Sequence, residues 1–504
     1  MRRVTGLVLL CLAVLLAACG TQVDQGTRRR LAAAQLADAG TAPASTTAAD
    51  VTGPVGTGAT GPTPESAAAA TSTATGTTTG SSTASGTVIA AGPASAVSTV
   101  GGGRAAGSLP HASAPPSAAT TLPAGGNGGA TDVGVTGDTI LLGNVSDLSG
   151  PQPGLFQSGV AGTNAYIAYV NSTGGINGRQ LKISVADGQT SCEGDRDGTS
   201  SLVNKVFAFA GSFSLFDQCG ATVLQHNTGV PDAQLAVTPE ANALPNDYSV
   251  VPVGNTVQNG AFAWAAQKFG ADAVQHAAMM YVNLPAVNNV AALTMRSAQS
   301  TGWKFAYTRA VGATETDFTA DIIQMRSRGI KVFLSLFNAD EMANFKPEAD
   351  QQGFKPLIMD TLLYDQSFFT KLGGSAAAEG IYGFNGSTLF FSQQDAAIPS
   401  VALFQKWYPQ VAGGIAADTF AADAWAETAL LVQAMKAAGP RLTRKAVLEQ
   451  LGKITSFSAD GFFATANPAQ KIAGNCYVLW QIQGGQYVRV DTPAGGYRCD
   501  GKQD

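Results

Sequence analysis

The chain has 504 residues and a net charge of −5, and only 13% of its residues are charged, about half the usual fraction. Lysine and arginine form no cluster after Arg28-Arg29-Arg30, so the basic stripe that nucleic acid requires is not supplied. The three histidines, His111, His226 and His276, lie far apart and serve poorly as a metal site or a general-base centre.

Residues 1–18 combine Arg2-Arg3 with an apolar run of about 15 residues, too short to span ~30 Å of hydrocarbon comfortably. They read as an export signal. It ends in LAAC, which resembles the bacterial lipobox, so Cys19 is expected to carry lipid and become the mature N-terminus. An ordinary signal with an incidental cysteine is the alternative. No later stretch reaches 18 uncharged apolar residues, which places the remainder outside the membrane.

Residues 19–131 read as a tether. Of the 91 positions from 41 to 131, 78 are Ala, Thr, Gly, Ser or Pro. None of the chain's 39 aromatic residues precedes Phe156. Such a composition buries too little apolar area to offset ~1–2 kcal/mol of backbone entropy per residue. As flexible coil it reaches ~55–65 Å, as a plain spacer or a glycosylated stalk. The folded part is expected over 132–504, a size suited to two cores.

From 139 the chain alternates short apolar runs with helical patterns. The spacing predicts a strand at 139–145, the loop SDLSGPQPGLF, a helix over 157–171 and a strand at 181–185. Parallel strands joined in this way need a crossover helix. Helix 196–205, strand 206–210, the loop GSFSLFDQ, helix 219–227 and a run near Val230 continue the series. A second series begins at Thr256. Its helices are predicted at 257–269, 287–300, 316–328, 340–352 and 365–372. Each leads to a strand, at 274–282, 303–311, 331–337, 355–360 and 381–384. Helices at 399–411, 418–438 and 443–454 follow. A hairpin of 476–483 and 486–490 turns at Gly484-Gly485. The implied fold class is α/β, with two doubly wound, mostly parallel-sheet lobes. Ligands of such sheets sit at the carboxyl ends of strands, against helix N-termini.

Four cysteines remain after Cys19: Cys192, Cys219, Cys476 and Cys499. An even number in an exported domain reads as disulfides. Three connectivities are possible. Cys192–Cys219 and Cys476–Cys499 are favoured because each pair is close in sequence and bridges one supersecondary unit. Four buried free thiols are the alternative.

The segments ILLGNVSDLSGP, NAYIAYVNSTGGINGRQLKISVADGQ and NTGVP resemble the type I periplasmic solute-binding proteins, specifically the branched-chain amino acid (Leu/Ile/Val) binding subfamily. The resemblance covers about 138–490, strongly to Ala236 and weakly afterwards. It supports Cys192–Cys219, since a similarly placed pair occurs in family members. It implies a three-segment hinge, with lobe 1 at about 138–254 and 386–470 and lobe 2 at about 257–383 and 472–500. Segments 252–255 and 383–386 would be two of the hinges. The lobes would close on a ligand.

Family members that bind amino acids grip the carboxylate from lobe 1 and the ammonium from lobe 2. On lobe 1, GSFSLF offers Ser212, Ser214 and Phe216 before a helix whose N-terminus favours an anion, although the serines also suit simple capping. Ser149 and Phe156 in the first loop are comparable candidates, with Phe156 alternatively in the core. On lobe 2, Asp360 ends the strand KPLIMD in the position resembling the family's acidic ligand residue, with a helix or turn cap as the alternative. Phe337 and Tyr364 are candidate aromatic walls. The family's Asp followed by Tyr-Gly is replaced around Asn283, which cannot neutralise an ammonium.

No GxSxG, HExxH or GxxxxGK[ST] motif is present, so no enzyme is expected. No cofactor and no metal are expected either. The resemblance implies a monomeric, membrane-anchored receptor that passes a small polar ligand (amino acid, amide or small carboxylate) to an ABC transporter permease. A sensor for a signalling partner and an envelope lipoprotein with a degenerate site are the alternatives.

Overall fold

The run TILLGNVS forms β1 (Thr139–Ser146), and all but two of its side chains are buried. A strand covered on both faces reads as a continuous apolar run, and the same holds for β3 (Ala208–Ser212). The computed structural model describes residues 122–392, 394–491 and 495–503, which fall within the unit Gly103–Asp504. The expected signal, Cys19 and the tether up to residue 121 lie outside the described residues.

The first lobe holds β1, β2 (Gln180–Asp187), β3, β4 (Asp232–Gln234) and β5 (Asp247–Tyr248). They form an all-parallel sheet in the order β2-β1-β3-β4-β5. The second lobe holds β6 (Ala277–Val282), β7 (Phe305–Val311), β8 (Val332–Leu336), β9 (Leu357–Asp360), β10 (Tyr382–Asn385), β11 (Val478–Gln483) and β12 (Gln486–Val490). Its order is β12-β11-β10-β9-β8-β6-β7. All neighbours are parallel except the pairs made by β11. Gly484 and Gly485, both at positive φ, turn the terminal hairpin. The chain passes between the sheets near 251–257, 385–387 and 472–477.

The element series follows the sequence pattern, with local differences. The helix expected at 196–205 runs instead over Cys192–Leu202, because Ser191 caps it by accepting from Gly194 N. The strand expected at 274–282 is shorter, since Ala271–Val274 is a helical turn. Residues 127–131, compositionally part of the tether, are tied to the domain. Arg179 of GGINGR, fully buried, donates to the carbonyls of Asn127 (2.5 Å), Gly129 (2.9 Å), Thr136 (2.7 Å) and Pro440 (2.9 Å). A buried cation surrounded by backbone dipoles fixes its neighbours, so the folded unit starts before residue 132.

Both disulfides form as the nearest pairs, Cys192–Cys219 and Cys476–Cys499. Closing loops of 27 and 23 residues stabilises by roughly 3–4 kcal/mol each.

One packing relationship positions the site. Helix Gln157–Ser172 lies against helix Thr419–Ala438. A Cβ at Gly162 would stand 2.1 Å from Ala421 O, so only glycine permits this approach. The Thr419–Ala438 helix is capped by Asp418, which accepts from Ala421 N. Its alanine-rich length lets it sit buried among its neighbours and carry its second turn to the seam between the lobes.

Candidate functional site

Two adjoining cavities occupy that seam. The inner one, about 260 Å³, is walled by Leu235 and Val237 of the first lobe, by Val282 and Leu336 of the second, and by Val253 and Gly386 at the crossings. The outer one, about 500 Å³, is polar, with Glu315, Asp340, Asp365, Lys371 and Asp418 among its walls. Lys371 there is paired with Asp340 at 2.7 Å. The two cavities share Gln152, Leu155, Asn338, Glu341, Leu362 and Phe420.

Gln152 stands where they meet. It lies between Pro151 and Pro153 in the loop after β1, each proline fixing its own φ. Its Nε2 donates across the seam to Ala313 O (2.6 Å) and Glu341 Oε1 (3.0 Å). Its Oε1 accepts from Asn338 Nδ2 at 3.1 Å. Asn338 and Glu341 form the capping box of helix Ala339–Gln351, so a helix start doubles as the latch. Burial raises the Glu341 carboxyl above its usual range, against the hydrogen bonds from Gln152 and Asn338. Asn289 makes a second tie between the lobes, donating to Val237 O at 3.3 Å and to Gly254 O at 3.0 Å.

At the inner end, Thr419, Phe420 and Asp423 of one helix line the cavity. Phe156 meets Phe420 edge-on at 4.9 Å between ring centroids, worth about 0.5–1.5 kcal/mol beyond area burial. Burial lifts the Asp423 carboxyl to about 8, and the charge of Asp418 adds to the effect. One turn on, Glu427 takes the Ser249 hydroxyl and Val250 N on Oε1, both at 2.8 Å, and burial pushes its carboxyl well above the usual range.

Of the nine ligand candidates read from the sequence, Phe156 lines the inner cavity; the other eight line neither of the two adjoining cavities. Ser149 donates to Asp187 Oδ2 at 2.6 Å, tying the first loop to the end of β2. Ser212 accepts from Val145 N at 3.2 Å inside the sheet. Ser214 accepts from Phe216 N at 3.0 Å, a local turn contact, and Phe216 is half-buried against the core. Asn283 is exposed and accepts from Asn288 Nδ2 at 2.9 Å. Phe337 is fully buried among Phe318, Phe333 and Phe345. Tyr364 is fully buried, and its hydroxyl accepts from Phe391 N at 2.8 Å. Asp360 is fully buried too. It accepts from the Ser335 hydroxyl, Leu362 N (2.6 Å) and Phe337 N (3.3 Å), closing the loop after β9. Burial lifts it to about 7.

Gln152, Glu341 and Asp423 belong to no catalytic or metal-binding motif in the sequence. Gln152 sits in the loop SDLSGPQPGLF with neither a hydroxyl nor a helix start to mark it. Asp423 and Glu427, four apart within an apolar 20-residue helix, were the readable signal. Carboxyls at that spacing share one helix face and here had to be buried. Among the described residues no cluster fit for a metal ion occurs, and no helix is long and apolar enough to cross a membrane.

The family model described as "Periplasmic binding protein" matches residues 139–486. No curated protein matches the chain. Among solved structures, the branched-chain amino acid transporter substrate binding protein LivJ from Streptococcus pneumoniae, in complex with isoleucine, is similar. It has 16% identity and a TM-score of 0.57, covering 70% of this chain and 100% of that one. A fatty acid ABC transporter substrate-binding protein from Thermomonospora curvata has 17% identity and a TM-score of 0.58, covering 71% and 93%. An R. palustris ABC transporter solute binding protein in complex with benzoate has 17% identity and a TM-score of 0.58, covering 72% and 98%. At such identities these likenesses establish the fold, an α/β type I arrangement, and the match over most of the folded part establishes more: the chain belongs to the periplasmic binding protein family.

Proposed function

We propose that the chain is an extracytoplasmic solute-binding receptor, tethered by lipid on Cys19, that traps a small ligand between its lobes and hands it to an ABC importer without chemistry. One observation carries this reading: the inner cavity takes its walls from both lobes and from the crossing segments, with Gln152 bridging the lobes beside it. A ligand enclosed there contacts both lobes at once and favours the closed arrangement by its differential affinity. The two disulfides suit an oxidising compartment.

The walls shift the expected ligand class. A polar amino acid or amide would leave most of its hydrogen bonds unmet against Leu, Val and Phe side chains, whereas an aliphatic or aromatic body gains about 25 cal/mol per Å² buried. Relatives bound to isoleucine and benzoate, or named for fatty acids, share such an apolar portion. The ligand proposed here is therefore small and mainly apolar.

A thermal-shift screen of the chain against aliphatic and aromatic alcohols, amines, acids and amino acids tests this. A true ligand at 100 times its Kd adds about 2.7 kcal/mol. Silence across the panel would refute a receptor and leave a degenerate site. Importer delivery is tested by uptake of the ligand in a strain lacking the chain, where undiminished uptake would refute it.

A further inference from the structure

The head group of the ligand follows from the charges in the inner cavity. Glu341 and Asp423 are its charged lining residues, and no lysine, arginine or histidine lines it. Glu341 is already committed, accepting from Gln152 Nε2 on one oxygen and from Asn338 N at 3.0 Å on the other. Asp423 is 8% exposed, and its carboxyl has no hydrogen-bond partner among the described residues. A buried carboxyl without a partner is costly, and the structure supplies neither a donor nor a counter-cation for it. Glu427 Oε2, one turn on along the same helix, is likewise without a partner among the described residues.

Resting on the receptor reading above, we infer that the ligand carries an apolar body and a single amine head, that the ammonium pairs with Asp423, and that the cavity rejects carboxylates. An ammonium brings both the missing donors and the missing positive charge. A carboxylate would enter a cavity whose charged groups are acidic, with no cation to receive it. An alcohol would satisfy one hydrogen bond but could not stabilise the carboxyl in its ionised form, as an ammonium does. Ser387, on the crossing after β10, lines the same cavity, and its buried hydroxyl has no partner among the described residues.

The test is calorimetric titration of the full chain with hexylamine, hexan-1-ol and hexanoate, which share one apolar body. Hexylamine should bind at least tenfold tighter than hexan-1-ol, and hexanoate at least tenfold weaker than hexan-1-ol. Asp423→Asn should reduce hexylamine to within about threefold of hexan-1-ol, both measured on the variant. Hexanoate binding as tightly as hexylamine, or an amine preference that persists in Asp423→Asn, would overturn the head-group assignment and leave the receptor standing. Failure of all three probes to bind would overturn both. The head-group series on the unaltered chain decides the matter even where the variant folds poorly.

Discussion

Gln152 Nε2 lies 3.0 Å from Glu341 Oε1, and the same nitrogen donates to Ala313 O at 2.6 Å, so one side-chain nitrogen of the first lobe is bound twice by the second. Both bonds span the seam between the lobes, so on the receptor reading proposed above both would break on opening. The pair is therefore read as a latch on the closed form rather than a support of either lobe.

Gln152→Ala should weaken ligand binding about tenfold, the loss of ~1.4 kcal/mol from the closed state. A hydrogen bond to a charged group contributes about that much. The change should fall on the dissociation rate, with the melting temperature of the ligand-free chain shifted by no more than about 2 °C. Stopped-flow tryptophan fluorescence measures the rate. An unaltered dissociation rate would remove Gln152 from the latch.

Asp360 occupies a different role from the one its strand-end position suggests. Its acceptors face three donors, from Ser335, Phe337 and Leu362, so an amide in its place turns an N–H₂ towards one of them. Asp360→Asn should cost about 1–3 kcal/mol of stability and leave ligand affinity within about twofold. Chemical denaturation and titration of the same preparation separate these effects. A tenfold loss of affinity at unchanged stability would place Asp360 in the site after all.

The buried acids set the pH dependence. Burial holds Asp195, Asp360 and Asp418 at about 7 and Asp423 at about 8, and it raises Asp232 and Asp247 as well. Unfolded carboxyls titrate near 4, so the folded chain binds extra protons between about pH 4 and 8. The stability these groups contribute is complete below that window and is lost as pH rises through it. Melting at pH 8 should lie several degrees below melting at pH 5, and Asp423→Asn should flatten the slope. A profile that is level or rises from pH 5 to 8 would contradict this electrostatic account.

The fold was legible because its signals are local and periodic. The run 139–145, the helix after it and GGINGR each declare themselves within a few residues. Short elements such as Asp232–Gln234, Asp247–Tyr248 and Pro239–Asn242 carry no period to read. The site was mostly illegible for a related reason. Ser212, Ser214 and Asp360 do stand at strand ends, as the topology rule requires, but bonds to Val145, Phe216 and Ser335 turn their side chains to structural work. The cavity is defined instead by Gln152, Leu336 and Asp423, which come from segments far apart in the chain. An acid buried within an apolar helix was the clue that residue type alone supplied.

Every assignment above depends on an apolar ligand being buried in the inner cavity between the lobes. Titration calorimetry at several temperatures, with the tightest ligand of the panel, tests it most directly. Saturable one-to-one binding with a negative heat-capacity change, the mark of apolar burial, is expected. So is loss of that binding in Val290→Trp, which fills the cavity from a half-buried lining position. Absence of saturable binding, or a Val290→Trp chain that binds as tightly as the unaltered one, would contradict it.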